Sequence, residues 1–245
     1  MLAVIGGSGL SQLSGLDQSR SVEVRTPYGE PSGPLTLGEI RGHAVVFLAR
    51  HGGEHRIAPH EINYRANLWA LKEQKPDGIV SIATVGGIRA ELRPGMLLLP
   101  DQILDYTWGR RSTYFEGEGA KVTHVDFTEP YSGRMRKRIA AAGAACGEKV
   151  LDGGVYATTQ GPRLESAAEI DRLERDGADV VGMTGMPEAA LARELGLEYA
   201  AIAVIINPAA GRGESKHAIS LEQMHSVLEK AMQRVRRIIE ELAIQ

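Results

Sequence analysis

Small polar and basic side chains follow several apolar segments of the chain, and together they could bind an anion. Ser8 lies in the glycine turn "GGSG" after "LAVI", and Arg50 and His51 follow "VVFLA". Thr84 ends "SIAT", and Thr184 ends "VVGMT". Ends of parallel strands meet at one edge of an α/β sheet, so these residues would offer hydroxyls, amides and a guanidinium to a tetrahedral anion. Each alone also fits an ordinary turn or strand end.

Asn207 raises a separate question, because it ends the apolar run "AIAVII" and is followed directly by Pro208. An Asn-Pro pair commonly opens a turn. The carboxyl end of a buried strand is also where α/β proteins contact their ligands. The residues around Asn207 leave both interpretations open.

Other chemistries find less support in the sequence. His51 and His55 are four residues apart, as in some metal sites, but no third ligand accompanies them in "RHGGEH". The turn "GGSGL" lacks the third glycine of a dinucleotide fingerprint, since Gln12 stands at that position. No GxSxG motif suggests a hydrolase triad.

Alternating strand and helix patterns must position these residues. Short apolar runs predict strands, and three-to-four spacing of apolar residues predicts helices. The order of these segments predicts an α/β fold in which one domain, residues 1–245, has a mixed, largely buried sheet flanked by helices. The predicted strands are "LAVIG", "GPLTLGEIRG", "HAVVFLAR", "DGIVSIATV", "MLLLPDQIL", "KVLDGGVYATT", "ADVVGMT" and "EYAAIAVIIN"; the predicted helices are "EINYRANLWALKEQ", "ESAAEIDRLERDG", "PEAALARELG" and a last one after Ser220.

The last predicted helix has the clearest pattern. Ser220 and Gln223 have the spacing of a capping box. An apolar stripe follows on one helix face, made of Leu221, Met224, Leu228, Met232, Val235, Ile239 and Leu242.

Composition restricts the classes of partner. The net charge of −3 argues against a nucleic-acid-binding surface. The start "MLAVIGGSGL" lacks the features of a signal peptide, and no apolar run approaches the roughly 20 residues that span a membrane. Cys146 is the only cysteine and cannot form an internal disulfide. We therefore expect a cytoplasmic protein with a small-molecule ligand and without nucleic-acid or membrane partners.

Several blocks in order resemble the trimeric purine nucleoside phosphorylase family, and most of all its methylthioadenosine phosphorylase branch. These blocks are "GGSGL", "TPYGEPSGPLTLGEI", "ARHGGEHRIAPHEINYRANLWALK", "ELRPGMLLLPDQILDYT", "HVDFTEP", "TTQGPRLESAAEI", "GADVVGMTGMPEAALARELGLEYA" and "HAISLEQ". The resemblance covers nearly the whole chain. It implies phosphate-dependent cleavage of an N-glycosidic bond, with inorganic phosphate as co-substrate and no metal or organic cofactor.

The resemblance also assigns roles to residues. It implies that the backbone amide of Met183 contacts a sugar hydroxyl. It places His124 in the site of a neighbouring subunit, and so implies a homotrimer. The phosphate site falls on Ser8, Arg50, His51, Ala83, Thr84 and Thr184.

Three positions depart from the methylthioadenosine branch. That branch has aspartates where Asn207 and Ala209 stand, and a small residue where Glu165 stands. An asparagine amide can donate to O6 of a 6-oxopurine while its carbonyl faces N7–H, and a carboxylate accepts the N1–H of hypoxanthine. Glu165 also fits a helix first turn, where the macrodipole favours acids. Together with Asn207, it predicts a 6-oxopurine pocket in which Asn207 assists departure of the base.

These features predict a phosphorylase for 5′-methylthioinosine that releases hypoxanthine. Ile219 and Leu221 lie where the family receives the 5′ substituent, although both also fit the core at a helix start. His225 could instead bond a 5′-hydroxyl, so inosine or guanosine remains an alternative substrate, as does methylthioadenosine. A nucleosidase that uses water and a nucleoside-binding protein without turnover also remain open.

Overall fold

A mixed β-sheet runs through the centre of the protein. In this computed structural model, residues 1–13 and 15–245 are described, and within them the sheet has eleven strands. They are β1 (Leu2–Gly6), β2 (Asp17–Val22), β3 (Leu35–Ile40), β4 (His43–Ala49), β5 (Gly78–Gly87), β6 (Leu97–Leu99), β7 (Gln102–Asp105), β8 (Val150–Asp152), β9 (Val155–Thr158), β10 (Val180–Gly182) and β11 (Tyr199–Pro208). The described residues also form α1 (Tyr64–Glu73), α2 (Gly133–Ala145), α3 (Ala167–Arg175), α4 (Glu188–Glu194) and α5 (Leu221–Ala243).

The three apolar strands β1, β5 and β11 are parallel and form the middle of the sheet. β5 pairs with β1 on one side and with β11 on the other. Their carboxyl ends therefore meet at one edge, as the sequence predicts. Thr84 pairs with Val204, and a β-bulge then shifts the register between Ile205 and Asn207. Because a bulge changes the direction of nearby side chains, it helps to set where Asn207 points.

Helices cover both faces of this sheet. On one face, α2 and α5 pack against alternate residues such as Val4 and Val80. On the other, α1 and α4 pack against Ile5 and Ile79. This alternation is what period-two side chains on a doubly covered sheet require. The predicted α/β class with a mixed, largely buried sheet is confirmed.

Several element boundaries differ from the predictions for local reasons. "MLLLPDQIL" forms two strands, β6 and β7, interrupted at Pro100, and "KVLDGGVYATT" is divided into β8 and β9. The second break lies at Gly153 and Gly154, both of which have positive φ. Helix α1 begins only at Tyr64, because Asn63 caps it by accepting from the Ala66 amide. The strand β2 and the helix α2 were not predicted.

Helix α5 keeps the predicted apolar stripe, but burial is complete only in its later turns. Met232, Val235, Ile239 and Leu242 are buried, whereas Leu221 is 71% exposed. Ser220 accepts a hydrogen bond from the Gln223 amide, which is half of the predicted capping box. The structure has a reciprocal capping box at the start of α3, between Ser166 and Glu169. Among the residues that the structure describes, no helix combines the length and apolar character needed to span a bilayer.

Candidate active site

A cavity of about 430 Å³ opens at the sheet edge where β1, β5 and β11 end. It is lined by residues from widely separated parts of the chain, which the sheet topology brings to one place. Of the residues predicted for a site, those that line this cavity are Ser8, Arg50, His51, Thr84, Glu165, Met183, Thr184, Asn207, Ala209 and Ile219.

Arg50 lines the cavity together with Ser8, His51, Thr84 and Thr184, a group called the anion end below, and it is only 1% exposed. Its Nη1 donates to the Ile82 carbonyl at 2.9 Å, which leaves a second N–H on that nitrogen. Gly7 explains how the guanidinium fits beneath the first turn: a Cβ at Gly7 would lie 2.9 Å from Arg50 Nη1. The glycine turn therefore lets the backbone approach a buried cation closely.

Glu188, which the sequence analysis did not identify, is the counter-ion of Arg50. Its Oε2 accepts from Arg50 Nε at 2.6 Å, and its Oε1 accepts from Arg50 Nη2 at 3.0 Å. Ser81 Oγ and Tyr199 Oη also donate to Oε1, at 2.6 Å and 2.8 Å. Burial by itself would lower the pKa of Arg50, but the charge and hydrogen bonds of Glu188 outweigh burial and raise that pKa. A buried arginine needs a partner. The position of Arg50 after an apolar run was therefore the signal in the sequence that an acidic residue such as Glu188 would lie beside it.

His51 is a neutral imidazole in this environment. Burial, and secondly the charge of Arg50, lower the pKa of His51 to about 4. Its Nδ1 lies 2.8 Å from the Ile57 carbonyl oxygen, so Nδ1–H donates there. Nε2 then carries a lone pair and accepts rather than donates. A phosphate that contacts Nε2 must supply the proton of that hydrogen bond itself.

His55 lies beside His51, with ring centroids 4.3 Å apart, and also lines the cavity. Burial and then Arg50 lower the pKa of His55 as well. Ser8 Oγ is 3.4 Å from His55 Nε2. Within residues 1–13 and 15–245, no three histidine, cysteine or acidic side chains cluster in a way that could hold a metal ion. The two histidine rings lie side by side next to the Ser8 hydroxyl, and their lowered pKa values favour the neutral form of both.

Glu165 lines the cavity and lies just before helix α3 without belonging to it. Helix α3 begins at Ala167 with Ser166 as N-cap, and Glu169 is its first-turn acid. The alternative that Glu165 serves the helix macrodipole from the first turn is therefore wrong. Thr159 Oγ1 donates to Glu165 Oε1 at 2.6 Å, which holds the carboxylate while Oε2 can accept another bond.

Asn207 is buried and lines the cavity. Its Nδ2 donates to the Pro208 carbonyl at 2.6 Å. This bond defines which side of the amide carries the nitrogen, and one Nδ2 hydrogen remains for a ligand. Both interpretations of Asn207 thus describe the same side chain, because it braces the turn and also lines the cavity.

Met183 and Ala209 complete the walls around these polar groups. The Met183 side chain packs so closely on Gly161 that a Cβ there would collide with its sulfur. Ala209 is buried, and its amide donates to the Gly87 carbonyl at 2.8 Å. Its methyl group gives the cavity an apolar surface at this position. The methylthioadenosine phosphorylase branch, which the sequence resembles, has a carboxylate there.

Four residues named from the sequence do not line the cavity. The Ala83 side chain packs into a core cluster with Val85 and Ala203. Leu221 is exposed in the first turn of α5 and Met224 lines the cavity instead, so the contact of Leu221 with the 5′ substituent stays a prediction. His225 is also exposed, with Nε2 3.4 Å from Glu229 Oε1. His124 lies on the surface of its own chain, so its role in a neighbouring site stays a prediction.

Comparisons with known proteins identify the family of this chain. Residues 1–243 match the family described as the Phosphorylase superfamily. A probable S-methyl-5′-thioinosine phosphorylase of Pseudomonas syringae pv. tomato is 52% identical, over 96% of this chain and 94% of that protein. A 6-oxopurine nucleoside phosphorylase of Pyrococcus furiosus is 44% identical, over 88% and 82%. The solved methylthioadenosine phosphorylase of Schistosoma mansoni in complex with adenine has a TM-score of 0.94 at 30% identity, covering 99% of this chain and 90% of that one.

Proposed function

The chain belongs to the phosphorylase superfamily, and from this premise we propose that it cleaves 5′-methylthioinosine with phosphate. The products are hypoxanthine and 5-methylthioribose 1-phosphate. One observation carries the proposal: a single cavity is lined both by the anion-binding donors of the anion end and by Glu165 with Asn207, called the base end below. A nucleoside of a 6-oxopurine and a phosphate ion together satisfy both groups.

The anion end supplies the nucleophile. Hydroxyls of Ser8, Thr84 and Thr184 and the remaining N–H of Arg50 donate to phosphate oxygens. Oriented in this way, the phosphate stabilises the positive charge that grows on the sugar and then attacks the anomeric carbon. The C–N bond breaks and its electron pair leaves with the purine. Preorganised donors of this kind commonly contribute the largest share of catalysis.

The base end stabilises the departing purine. Asn207 Nδ2 donates its remaining hydrogen to O6. N7 takes a proton from solvent as the base leaves, and Asn207 Oδ1 accepts the hydrogen bond from the resulting N7–H. Glu165 Oε2 accepts N1–H, while Thr159 holds Oε1. Adenine presents the opposite pattern at both atoms, with a 6-amino donor and an N1 lone pair, so this pocket disfavours methylthioadenosine.

The 5′ end distinguishes two 6-oxopurine substrates. Ile219 and Met224 line the cavity and offer apolar surface to a methylthio group. Four relatives that are 51–53% identical carry the name probable S-methyl-5′-thioinosine phosphorylase, which supports the methylthio substrate. The Pyrococcus relative favours inosine or guanosine as the second candidate, because its name specifies 6-oxopurine nucleosides.

Further properties belong to the same proposal. The reaction needs no cofactor, because phosphate is the nucleophile and protein donors stabilise the leaving base. We propose a homotrimer in which His124 of one subunit reaches the site of its neighbour. A single free cysteine, Cys146, suits a reducing compartment, and we propose a cytoplasmic location.

A direct assay tests the proposed reaction. Methylthioinosine, inosine, guanosine and methylthioadenosine are incubated side by side with and without phosphate, and the released base and sugar phosphate are quantified. We expect cleavage only with phosphate, and fastest for methylthioinosine. Equal cleavage when phosphate is omitted would indicate a nucleosidase rather than a phosphorylase. Binding without turnover would indicate a nucleoside-binding protein.

A further inference from the structure

Arg110 does not line the cavity, yet its guanidinium contacts Met183, which does, and Thr159, which binds the cavity residue Glu165. We propose that Arg110 is a positioning residue. It holds the 159–160 backbone, next to Glu165, against the 183–186 backbone, which includes Met183, and thereby sets selectivity for the purine. This inference deepens the proposed function and rests on it for the identity of the base.

The hydrogen bonds of Arg110 reach residues 183–186, of which Met183 and Thr184 line the cavity, and residues 159–160, which lie next to the cavity residue Glu165. Nη1 donates to the carbonyl oxygens of Met183, at 2.9 Å, and Met186, at 2.6 Å. Nη2 donates to the carbonyl oxygens of Gln160, at 2.9 Å, and Thr159, at 3.3 Å. Nε donates to Gln160 Oε1 at 3.2 Å. One planar group therefore fixes the distance between the 159–160 and 183–186 backbones.

Tyr64 links Arg110 indirectly to Pro59, another residue that lines the cavity. Arg110 Nη1 lies 3.3 Å from Tyr64 Oη, and the guanidinium carbon lies 5.6 Å from the centre of the Tyr64 ring. Tyr64 Oη donates in turn to the Pro59 carbonyl at 2.9 Å. Pro59 lines the cavity on the side of the His51 loop.

The link to base recognition passes through Thr159. Arg110 binds the carbonyl of Thr159, whose side chain donates to Glu165 at 2.6 Å. The Thr159 amide also donates to the Gly182 carbonyl, next to Met183. A shift of the 159–160 backbone would therefore move Glu165 relative to Asn207, which lies on β11 and has no bond to this group.

The acceptors of Arg110 differ from those of the buried Arg50. Arg50 is neutralised by Glu188, whereas the acceptors of Arg110 are four backbone carbonyls, an amide oxygen and a hydroxyl. Carbonyls of loop residues fix the backbone rather than balance a charge, and a fork of five N–H groups is suited to hold several of them in one plane. This arrangement assigns Arg110 to geometry and leaves phosphate binding to Arg50.

The test compares Arg110→Met with Arg111→Met. Arg111 is the matched control, since its side chain is 75% exposed and contacts Glu116 at 3.2 Å. Calorimetry measures the affinity of each variant for hypoxanthine, adenine and inorganic phosphate, and kinetics gives kcat/KM for methylthioinosine and methylthioadenosine. We expect Arg110→Met to weaken hypoxanthine binding at least ~10-fold and to reduce the preference for the 6-oxopurine, as loss of bonds to a charged group implies, while phosphate affinity stays within about twofold.

Thr159→Val keeps the inference testable if Arg110→Met does not fold. Removing Thr159 Oγ1 leaves Arg110 in place, and we expect the same loss of 6-oxopurine preference. Unchanged preference in Thr159→Val, or wild-type hypoxanthine affinity in folded Arg110→Met, would overturn the inference. Equal loss of hypoxanthine and phosphate affinity in Arg110→Met would also overturn it, because it would indicate a general structural role. Failure of the wild-type protein to cleave any nucleoside while it binds hypoxanthine would overturn the proposed function alone.

Discussion

Arg50 and Glu188 are 138 positions apart in the chain and form a bidentate ion pair beneath the anion end of the cavity, with Nε–Oε2 at 2.6 Å and Nη2–Oε1 at 3.0 Å. Arg50, which is predicted to bind phosphate, is therefore a cation whose charge Glu188 neutralises. One N–H of Arg50 remains to donate to a ligand. Phosphate affinity must come from several oriented donors rather than from one free charge. This arrangement also keeps an arginine buried when no phosphate is bound.

Replacing Glu188 by glutamine should separate its effect on the stability of the buried Arg50 from its effect on phosphate binding. Glu188→Gln keeps the shape but leaves the Arg50 charge uncompensated in the interior, which costs roughly 3–5 kcal/mol of stability when a buried pair is broken. A bound phosphate would then supply the missing negative charge. We expect a lower Tm without phosphate and a larger phosphate-induced rise of Tm than in the wild type, both measured by thermal unfolding.

The control for this prediction is Glu91→Gln. Glu91 is exposed and its pair with Arg89 is long, at 3.6 Å, so we expect no change in Tm or in its response to phosphate. An equal phosphate-induced rise of Tm in Glu188→Gln and wild type would show that the Glu188 carboxylate does not neutralise the Arg50 charge that contacts phosphate.

The sequence predicted the centre of the fold because burial on both faces leaves a strong local signal. The strands β1, β5 and β11 are apolar runs that end at glycine or polar residues. In contrast, β2 has the sequence "DQSRSV" and is exposed along almost its whole length, so it has no apolar alternation to detect. Helix α2, "GRMRKRIAAAGAA", buries only four of its residues, and its alanines and glycines give a weak pattern.

The site was predictable where its residues lie near the carboxyl ends of apolar strands, and not where tertiary contacts decide. Ser8, Thr84 and Asn207 follow apolar runs, and the parallel order of the strands brings them together. The role of Glu188 depends on a partner in β4's following turn, and the bonds of Arg110 depend on how three loops fold. No local pattern encodes such contacts. Leu221 has the spacing of the apolar stripe of α5. It is nevertheless exposed, because the first turn of α5 does not pack on the core as the later turns do.

The stability of the protein should fall between pH 6.5 and pH 4 because of His51. Its pKa is lowered from 6.5 to about 4, so in this range the unfolded chain binds a proton that the folded protein excludes. Since the unfolded state binds more protons, the free energy of unfolding decreases as the pH falls, by up to about 3 kcal/mol from this group. Chemical denaturation of the wild type and His51→Gln across this range measures the effect.

We expect His51→Gln to lose less stability on acidification than the wild type. His43→Gln is the control, because His43 is exposed at the start of β4 and its replacement should leave the wild-type pH dependence intact. Parallel pH profiles for His51→Gln and wild type would show that His51 is not held neutral in the folded protein.

Ile219 should contribute to recognition of the 5′ substituent, and Leu221 should not. Ile219 lines the cavity whereas Leu221 is exposed. A methylthio group gains by apolar burial and a hydroxyl loses its water, so we expect a preference for methylthioinosine over inosine on the order of ~100-fold in kcat/KM. Ile219→Ser should reduce this preference and Leu221→Ser should retain it. The reverse result would return Leu221 to the pocket.

Discrimination between purines should depend on Asn207 and Glu165 together. Hypoxanthine has an acceptor at O6 and a donor at N1, which match the Asn207 amide and the Glu165 carboxylate, and adenine has the reverse pattern. Each unpaired buried polar group costs roughly 1–3 kcal/mol, and sites built on such pairing can reject the wrong analogue by ~10⁴-fold. We expect kcat/KM for methylthioinosine to exceed that for methylthioadenosine by about this factor. Comparable values for the two substrates in the wild type would contradict the assignment of the base pocket.

Reversal of this preference should require more than the exchange of one atom. In Asn207→Asp, an oxygen would replace Nδ2, which now donates to the Pro208 carbonyl at 2.6 Å. Two oxygens at that distance repel each other, and burial adds to this effect, so the pKa of the introduced carboxyl should be raised. Asn207→Asp alone should therefore impair turnover of 6-oxopurines without creating activity on adenine nucleosides, because Glu165 still opposes the adenine N1. Cleavage of methylthioadenosine should appear only when Ala209→Asp and Glu165→Ser are added, and steady-state kinetics of the single and triple variants on both substrates measures this. Efficient cleavage of methylthioadenosine by Asn207→Asp alone would show that Glu165 does not face N1.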